Sequence, residues 1–216
     1  MIEAIGRELT GMILDGTISS GSFLREVDLA DRFGVSRQSV RAAMIELHHG
    51  GLLRHEAHRG FWVPRLSRQD VIEIFDVREL IETDAARKLA ADPGQVAAAE
   101  VALARLVALP PDAEPGLFYQ THFDFHRSFV ESVEPDRLVR FYDLLCAETW
   151  LTLMYSQNLP VTNDAHRNNR THQDIIMAVR MGDPELAAKY TQAHLEYGRQ
   201  QSLMAVEGQS SAGQLS

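Results

Sequence analysis

The sequence predicts a mainly α-helical chain: a winged helix-turn-helix over residues 1–66, an all-helical bundle over 67–207 and a disordered tail over 208–216. Three observations predict it. Residues 28–47, DLADRFGVSRQSVRAAMIEL, hold two short amphipathic helical patterns joined at Gly34. The stretch after Gly50-Gly51, LLRHEAHRGFWVP, reads as strand, basic loop and strand. From Ser67 onward, apolar residues recur at helical spacing, proline and glycine supply the breaks, and no strand pattern is present.

Taken in order, an opening helix ends near Ile13, Asp15 and Gly16. Leu29, Ala30 and Phe33 then fall on one face of a second helix, while Val35, Val40, Ala43, Met44 and Leu47 form the inner face of a third. Ser36 is a natural N-cap for that third helix. Arg37, Gln38, Ser39 and Arg41 occupy its first turn and a half, the part of a recognition helix that meets phosphates and base edges. Arg37 and Arg41, four apart, share a face. A capped amphipathic helix with two arginines also occurs in proteins that bind no DNA, and the wing is what raises the DNA reading. Its strands are expected at Leu52–His55 and Phe61–Val63, with Gly60 in the turn and Pro64 closing the unit. His58 and Arg59 at the tip suit a neighbouring minor groove or phosphate.

Charge divides unevenly. The net charge is −9, but residues 1–66 hold 8 Lys+Arg and 8 Asp+Glu, so all the excess acidity lies beyond them. A neutral module attracts phosphate weakly, so specific DNA binding is expected to need two copies acting together. The single cysteine, Cys146, excludes an internal disulfide framework and is expected to be a buried free thiol. With no basic leader ahead of an apolar run and no apolar stretch of membrane-spanning length, a cytoplasmic protein with no membrane partner is expected.

In the bundle, Ser67 is a candidate N-cap with Asp70 in the first turn. Val71, Ile74, Phe75, Val77, Ile81, Ala85 and Leu89 then repeat at helical spacing until Asp92-Pro93-Gly94. Further helices are expected at about 94–109, 115–133, 135–158, 163–182 and 184–205. Pro110-Pro111, Pro115-Gly116, Pro135, Pro160 and Gly182-Asp183-Pro184 separate them. His122 and His126 share one helix face, and His172 and His194 lie in two later amphipathic segments. Four imidazoles could converge on one metal, or each could be satisfied by its own neighbours. Spacing does not choose between these.

Residues 4–66 resemble the winged helix-turn-helix of the GntR family of bacterial transcriptional regulators. The resemblance rests on the opening helix, Gly21, Leu24 and Glu26, LADRFGVSRQSVRAAM, the Gly50-Gly51-Leu52 step and Arg59-Gly60. Two departures are Ser20 before Gly21, where the family usually has proline, and Ser39, where this branch often has proline. The resemblance implies DNA contacts from Ser36, Arg37, Gln38, Ser39, Arg41, His58, Arg59 and Gly60. Residues 69–205 are similar to the all-helical effector domain, called FCD, of the fatty-acid-regulator (FadR-type) branch. The matching signs are Val77-Arg78 with Glu82, Phe125-His126, Thr171-His172, and Gly182-Asp183 leading through Ala187 to His194.

In many such domains an aspartate four residues before the Phe-His histidine joins three histidines on a divalent metal. The histidines correspond to His126, His172 and His194, whereas the aspartate position holds His122, and Asp124 lies on a different helix face. Imidazole in place of carboxylate softens the site and favours zinc, nickel or another late transition metal over manganese or magnesium. The resulting expectation is a homodimeric, ligand-responsive regulator, a repressor if it follows most relatives. It would bind a short near-palindromic operator and be controlled by a small carboxylate effector beside a three- or four-histidine metal site with positions left for effector oxygens. The resemblance makes Arg78 a partner for the anion, and Tyr119, three residues before His122, a candidate pocket residue. The alternatives are a metal-free effector pocket, a metal-dependent hydrolase with Asp124 or Asp174 as base, and an interaction module that has lost DNA binding.

Overall fold

The computed structural model describes residues 1–110, 113, 115–154 and 165–212, and the chain separates into two compact units, Met1–Leu66 and Ser67–Ser216. In the first unit, α1 (Ile2–Leu14) buries Ile5, Leu9 and Ile13 and packs on α3 (Arg37–His49), whose Val40, Ala43 and Met44 are buried. The helix α2 (Glu26–Phe33) ends at Gly34, whose φ of 64° is the left-handed turn that a side chain disfavours. Ser36 then caps α3, its Oγ accepting from the Ser39 amide at 3.1 Å.

A three-stranded antiparallel sheet in the order β1-β3-β2 completes the unit, formed by β1 (Phe23–Leu24), β2 (Arg54–Glu56) and β3 (Gly60–Trp62). The sequence reading did not include β1, which is too short to show alternation. The observed β2 also starts later than expected. The amides of Leu52 and Leu53 donate back to the Leu47 carbonyl, so these residues close the helix end as buried leucines instead of pairing in the sheet. In register, Glu56 faces Gly60, which leaves Ala57, His58 and Arg59 as the tip.

His58 holds φ 71°, an unfavourable value for a side-chain-bearing residue. His58→Gly is therefore expected to stabilise the first unit by about 0.5–1 kcal/mol in urea unfolding. A destabilised variant would mean that the imidazole makes compensating contacts.

The second unit is helical among its described residues. Its long α4 (Arg68–Ala91) starts in a capping box: Ser67 Oγ accepts from the Asp70 amide, and Asp70 Oδ2 accepts from the Ser67 amide at 2.7 Å. A 3-10 turn at Pro93–Gln95 leads into α5 (Ala97–Val107), so the helix expected from residue 94 is split at its start by Pro93. Then come α6 (Pro115–Val133), α7 (Asp136–Met154), α8 (Ala165–Arg180) and α9 (Pro184–Ala212). The expected helix residues 155–158, 163 and 164, the breaks at Pro111 and Pro160, and tail residues 213–216 lie outside the described residues.

Helix α9 continues through Gly208 to Ala212, where the sequence reading placed the start of a disordered tail. A single helical glycine costs only about 1 kcal/mol and does not by itself stop a helix. Val77, grouped by spacing with the buried residues, is 42% exposed, because α4 buries its other face through Ile74, Phe75, Arg78 and Glu82.

Helix α4 runs against α9 and also touches α6, α7 and α8. At Gly198 of α9 a Cβ would come within 3.2 Å of the Phe75 ring, so glycine permits the close approach of these two helices. Phe125, Phe129 and Val130 of α6, Tyr142 and Cys146 of α7 and Ile175 of α8 fill the core, and Cys146 is a buried free thiol. Among the described residues, no helix is long and apolar enough to cross a membrane.

Candidate functional site

Each unit carries one candidate surface. In the first, Arg37 and Gln38 are exposed at the start of α3, and Arg37 makes no ion pair among the described residues. Ser39 is placed differently from the base-facing expectation. It is buried and its hydroxyl lies 2.8 Å from Ser36 Oγ, so both hydroxyls serve the helix cap. Arg41 projects outward but is engaged: its Nη1 donates to Glu26 Oε1 at 2.6 Å, and its guanidinium stands 5.9 Å from the Phe61 ring. On the wing, His58 is exposed, and Gly60 takes φ 83° beside it. Arg59 binds Glu56 at 3.1 Å and lies over Trp62 and Phe23, which holds its otherwise flexible side chain against the sheet.

In the second unit, three helices bring four distant histidines together. His122 and His126 of α6, His172 of α8 and His194 of α9 are all buried, and one ring nitrogen from each lies within 4.8 Å of the others. The Nε2 atom of His126 is 3.2 Å from His172 Nε2 and 3.1 Å from His194 Nε2. Burial lowers the pKa of all four imidazoles and so keeps them neutral.

A neighbouring carboxylate orients the set. Glu82 Oε2 lies 2.8 Å from His126 Nδ1, and its Oε1 accepts from Arg78 Nε at 2.7 Å. Burial works to raise the Glu82 pKa, but the charge of Arg78, with help from His126, outweighs it and brings the carboxyl down to about 2. The ionised carboxylate can only accept, so His126 Nδ1 carries the proton and its Nε2 presents a lone pair.

That lone pair faces two further imidazole nitrogens, yet it can accept only one good hydrogen bond. A cation would resolve the crowding. Zinc–nitrogen bonds imply ligand-to-ligand separations of about 3.3 Å in a tetrahedral site, close to the two pairs His126 makes with His172 and His194, within a set that spans up to 4.8 Å. His126 with Glu82 behind it also matches the carboxylate–histidine arrangement that supports metal-binding imidazoles. The residues therefore fit a late transition metal. Asp124 is exposed and takes no part in this cluster.

Comparison with known proteins extends both readings. The model described as “Bacterial regulatory proteins, gntR family” matches residues 1–63, and the FCD domain model matches residues 73–197, more than half of the chain. The chain belongs to the GntR family of transcriptional regulators. It is 34% identical over 179 residues to a protein of Paenarthrobacter nicotinovorans named “Probable D-xylose utilization operon transcriptional repressor”, covering 81% of this chain and 76% of that one. A shorter match, 36% over 88 residues, covers 41% of this chain and 39% of the transcriptional repressor RspR of Escherichia coli K12. Among solved structures, a GntR regulator from Rhodococcus sp. RHA1 aligns with a TM-score of 0.71 at 25% identity, over 94% of this chain and 97% of that one.

Against this GntR background, two carboxylates stand out that were not among the expected site residues. Glu82 was legible in principle, four residues after Arg78 on the inward face of α4. Glu26, fifteen residues before Arg41, carried no such signal. Arg78, expected to meet an effector anion, is buried with its Nε held by Glu82 and its guanidinium between the Phe75 and Phe123 rings, at 5.1 and 5.6 Å. Tyr119 is half-buried on α6, against Phe118, which stacks on His122.

Proposed function

We propose that this GntR regulator binds a near-palindromic operator as a homodimer and is released from it, as a repressor, by a small organic acid bound in the helical unit. The presentation of Arg37, Gln38 and Arg41 on the capped start of α3, beside a basic wing tip, supports DNA reading by those residues with His58, Arg59 and Gly60. Ser36 and Ser39 act there through the cap. A recognition unit with no net charge gains little from phosphate attraction, which favours two linked units on one site. The proposed place of action is the cytoplasm, where its DNA lies.

The effector reading rests on the histidine cluster. His122, His126, His172 and His194 would hold zinc or nickel, and the ion would supply a Lewis-acidic centre for a carboxylate. Charge balance supports an anion. Glu82 is already neutralised by Arg78, so a dication held by four neutral imidazoles is uncompensated in a buried bundle. Within the cluster, His122 Nδ1 and His172 Nδ1 are buried with no hydrogen-bond partner among the described residues. Such atoms suit a ligand that carries hydroxyls as well as a carboxylate. The sugar-operon name of the Paenarthrobacter relative is in keeping with a sugar acid or hydroxy acid. Arg78 and Tyr119 would border the pocket.

Arg37→Ala and Arg41→Ala are each expected to weaken binding to DNA selected from a random pool by about five- to hundredfold, with thermal unfolding unchanged. Fluorescence anisotropy on the selected sequence measures this. Unchanged affinity in both variants would overturn the assigned reading surface.

A further inference from the structure

Four histidines lie in the first unit, and the DNA reading uses only His58. His48 and His49 end α3, and His55 is the middle residue of β2. In the sheet register His55 stands opposite Phe61, so the two side chains share one face. Phe61 is buried and its ring centre lies 6.4 Å from that of His48, so this face is turned toward α3. The His55 ring centre is 4.3 Å from Phe61 and 6.0 Å from His48. Two imidazoles from two elements therefore meet at the seam between the recognition helix and the wing, His48 half-buried and His55 exposed.

Both rings are held in place. His48 Nδ1 is 3.0 Å from the Leu53 carbonyl oxygen, which can only accept, so Nδ1 carries the proton and Nε2 presents a lone pair. A backbone carbonyl behind one ring nitrogen is an arrangement that orients metal-binding imidazoles. His55 rests against the Phe61 ring, which the core holds fixed. Metal–nitrogen bonds of about 2.0–2.1 Å let two imidazoles on one ion sit with ring centres up to roughly 6.4 Å apart. The observed 6.0 Å is inside that limit. Rotation of the exposed His55 side chain by a further ~1 Å brings the pair to a tetrahedral angle.

We propose that His48 and His55 form a surface site for a late transition-metal ion, additional to the buried four-histidine cluster, that clips the wing to the end of α3. Neutral imidazoles select copper, nickel or zinc over magnesium and calcium, and water completes the coordination. Because β2 runs directly into the tip residues Ala57, His58 and Arg59, an ion held here ties the tip to the recognition helix.

The test is equilibrium dialysis of the full, untagged chain against excess nickel at pH 8, above the ordinary imidazole range, followed by metal analysis. The wild-type protein is expected to hold about one nickel ion per chain more than His48→Ala or His55→Ala. This difference does not depend on whether the buried cluster is loaded, and His172→Ala should keep the surface ion. Equal binding by the wild type and His55→Ala overturns the site. An equal loss in His49→Ala or His58→Ala also overturns it, because ions would then sit on single surface imidazoles. Limited trypsin digestion tests the clip. With free nickel at about ten times the dissociation constant of the site, cleavage after Arg54 and Arg59 is expected to slow about tenfold in the wild type and not in His55→Ala. Unchanged cleavage with the ion bound overturns the clip.

Discussion

Glu82→Ala is expected to destabilise the helical unit by about 3–5 kcal/mol, a large share of the stability of a typical domain. The side chain of Glu82 is buried beside that of Arg78, 2.7 Å away, and each is only 3% exposed. Alanine would leave the guanidinium in an apolar setting with no counter-charge, and would also leave His126 Nδ1–H without its acceptor. The lost methylenes contribute far less than the stranded charge, since truncating one partner of a buried pair exposes the whole desolvation cost of the other. Replacing both partners, as in Arg78→Met with Glu82→Leu, removes both charges and should cost much less than Glu82→Ala alone. Urea unfolding of the three proteins measures the difference. A loss below about 1 kcal/mol in Glu82→Ala would mean that water or a bundle rearrangement solvates Arg78.

The same pair predicts acid behaviour. A folded-state pKa of about 2 lies below the ordinary value of 4.5, so the stability that Glu82 contributes is complete above pH 4.5 and declines as the pH falls toward 2.

Much of this architecture is legible in the chain because the strongest signals are local. The Ser36 cap, the Gly34 turn, the Ser67–Asp70 box and, apart from the exposed Val77, the apolar spacing of α4 are decided within a few residues, and each stands where the sequence places it. The strand β1 was not legible. Two residues cannot show alternation, and Phe23–Leu24 becomes a strand only because β3, almost forty residues later, supplies its partner. The β2 boundary shifted for a related reason, since Leu52 and Leu53 look like strand residues but are drawn into the end of α3.

At the candidate sites, residue types were readable and their connections were not. The four histidines could be named from spacing and resemblance, yet nothing local says that Glu82 orients His126 or that Glu26 holds Arg41. Ser39 shows the reverse case. Its position in the first turn suggests a base contact, and only the fold turns its hydroxyl toward Ser36.

Zinc is expected to raise the stability of the helical unit by about 4 kcal/mol at a free concentration a thousand times the dissociation constant. For a unit of this size that corresponds to an unfolding temperature roughly 8–16 °C higher. The expectation follows from binding to the folded chain alone, since the four ligands come from α6, α8 and α9 and are scattered once the chain unfolds. His172→Ala should lose most of the gain. His122→Asp should instead shift preference toward manganese, because a carboxylate is a harder donor than imidazole.

Acid acts first on the metal-free fold. Burial holds the four imidazoles neutral by lowering their pKa values below 6.5. Below that pH the unfolded chain takes up protons that the folded chain refuses, so the metal-free protein loses stability as the pH drops from 6.5. Protons displace zinc from the folded site only as the pH approaches the lowered folded-state values, so the zinc gain is expected to outlast the first loss of stability. Unfolding curves at pH 8, 7, 6 and 5, with and without zinc, on protein prepared without a histidine tag, test both. If neither zinc nor nickel shifts the curve at pH 8, the metal reading fails and the histidines are left as hydrogen-bonding groups of an effector pocket. Disappearance of the zinc shift already between pH 7 and 6 would place the ion on imidazoles of ordinary basicity, because this buried set resists protons there.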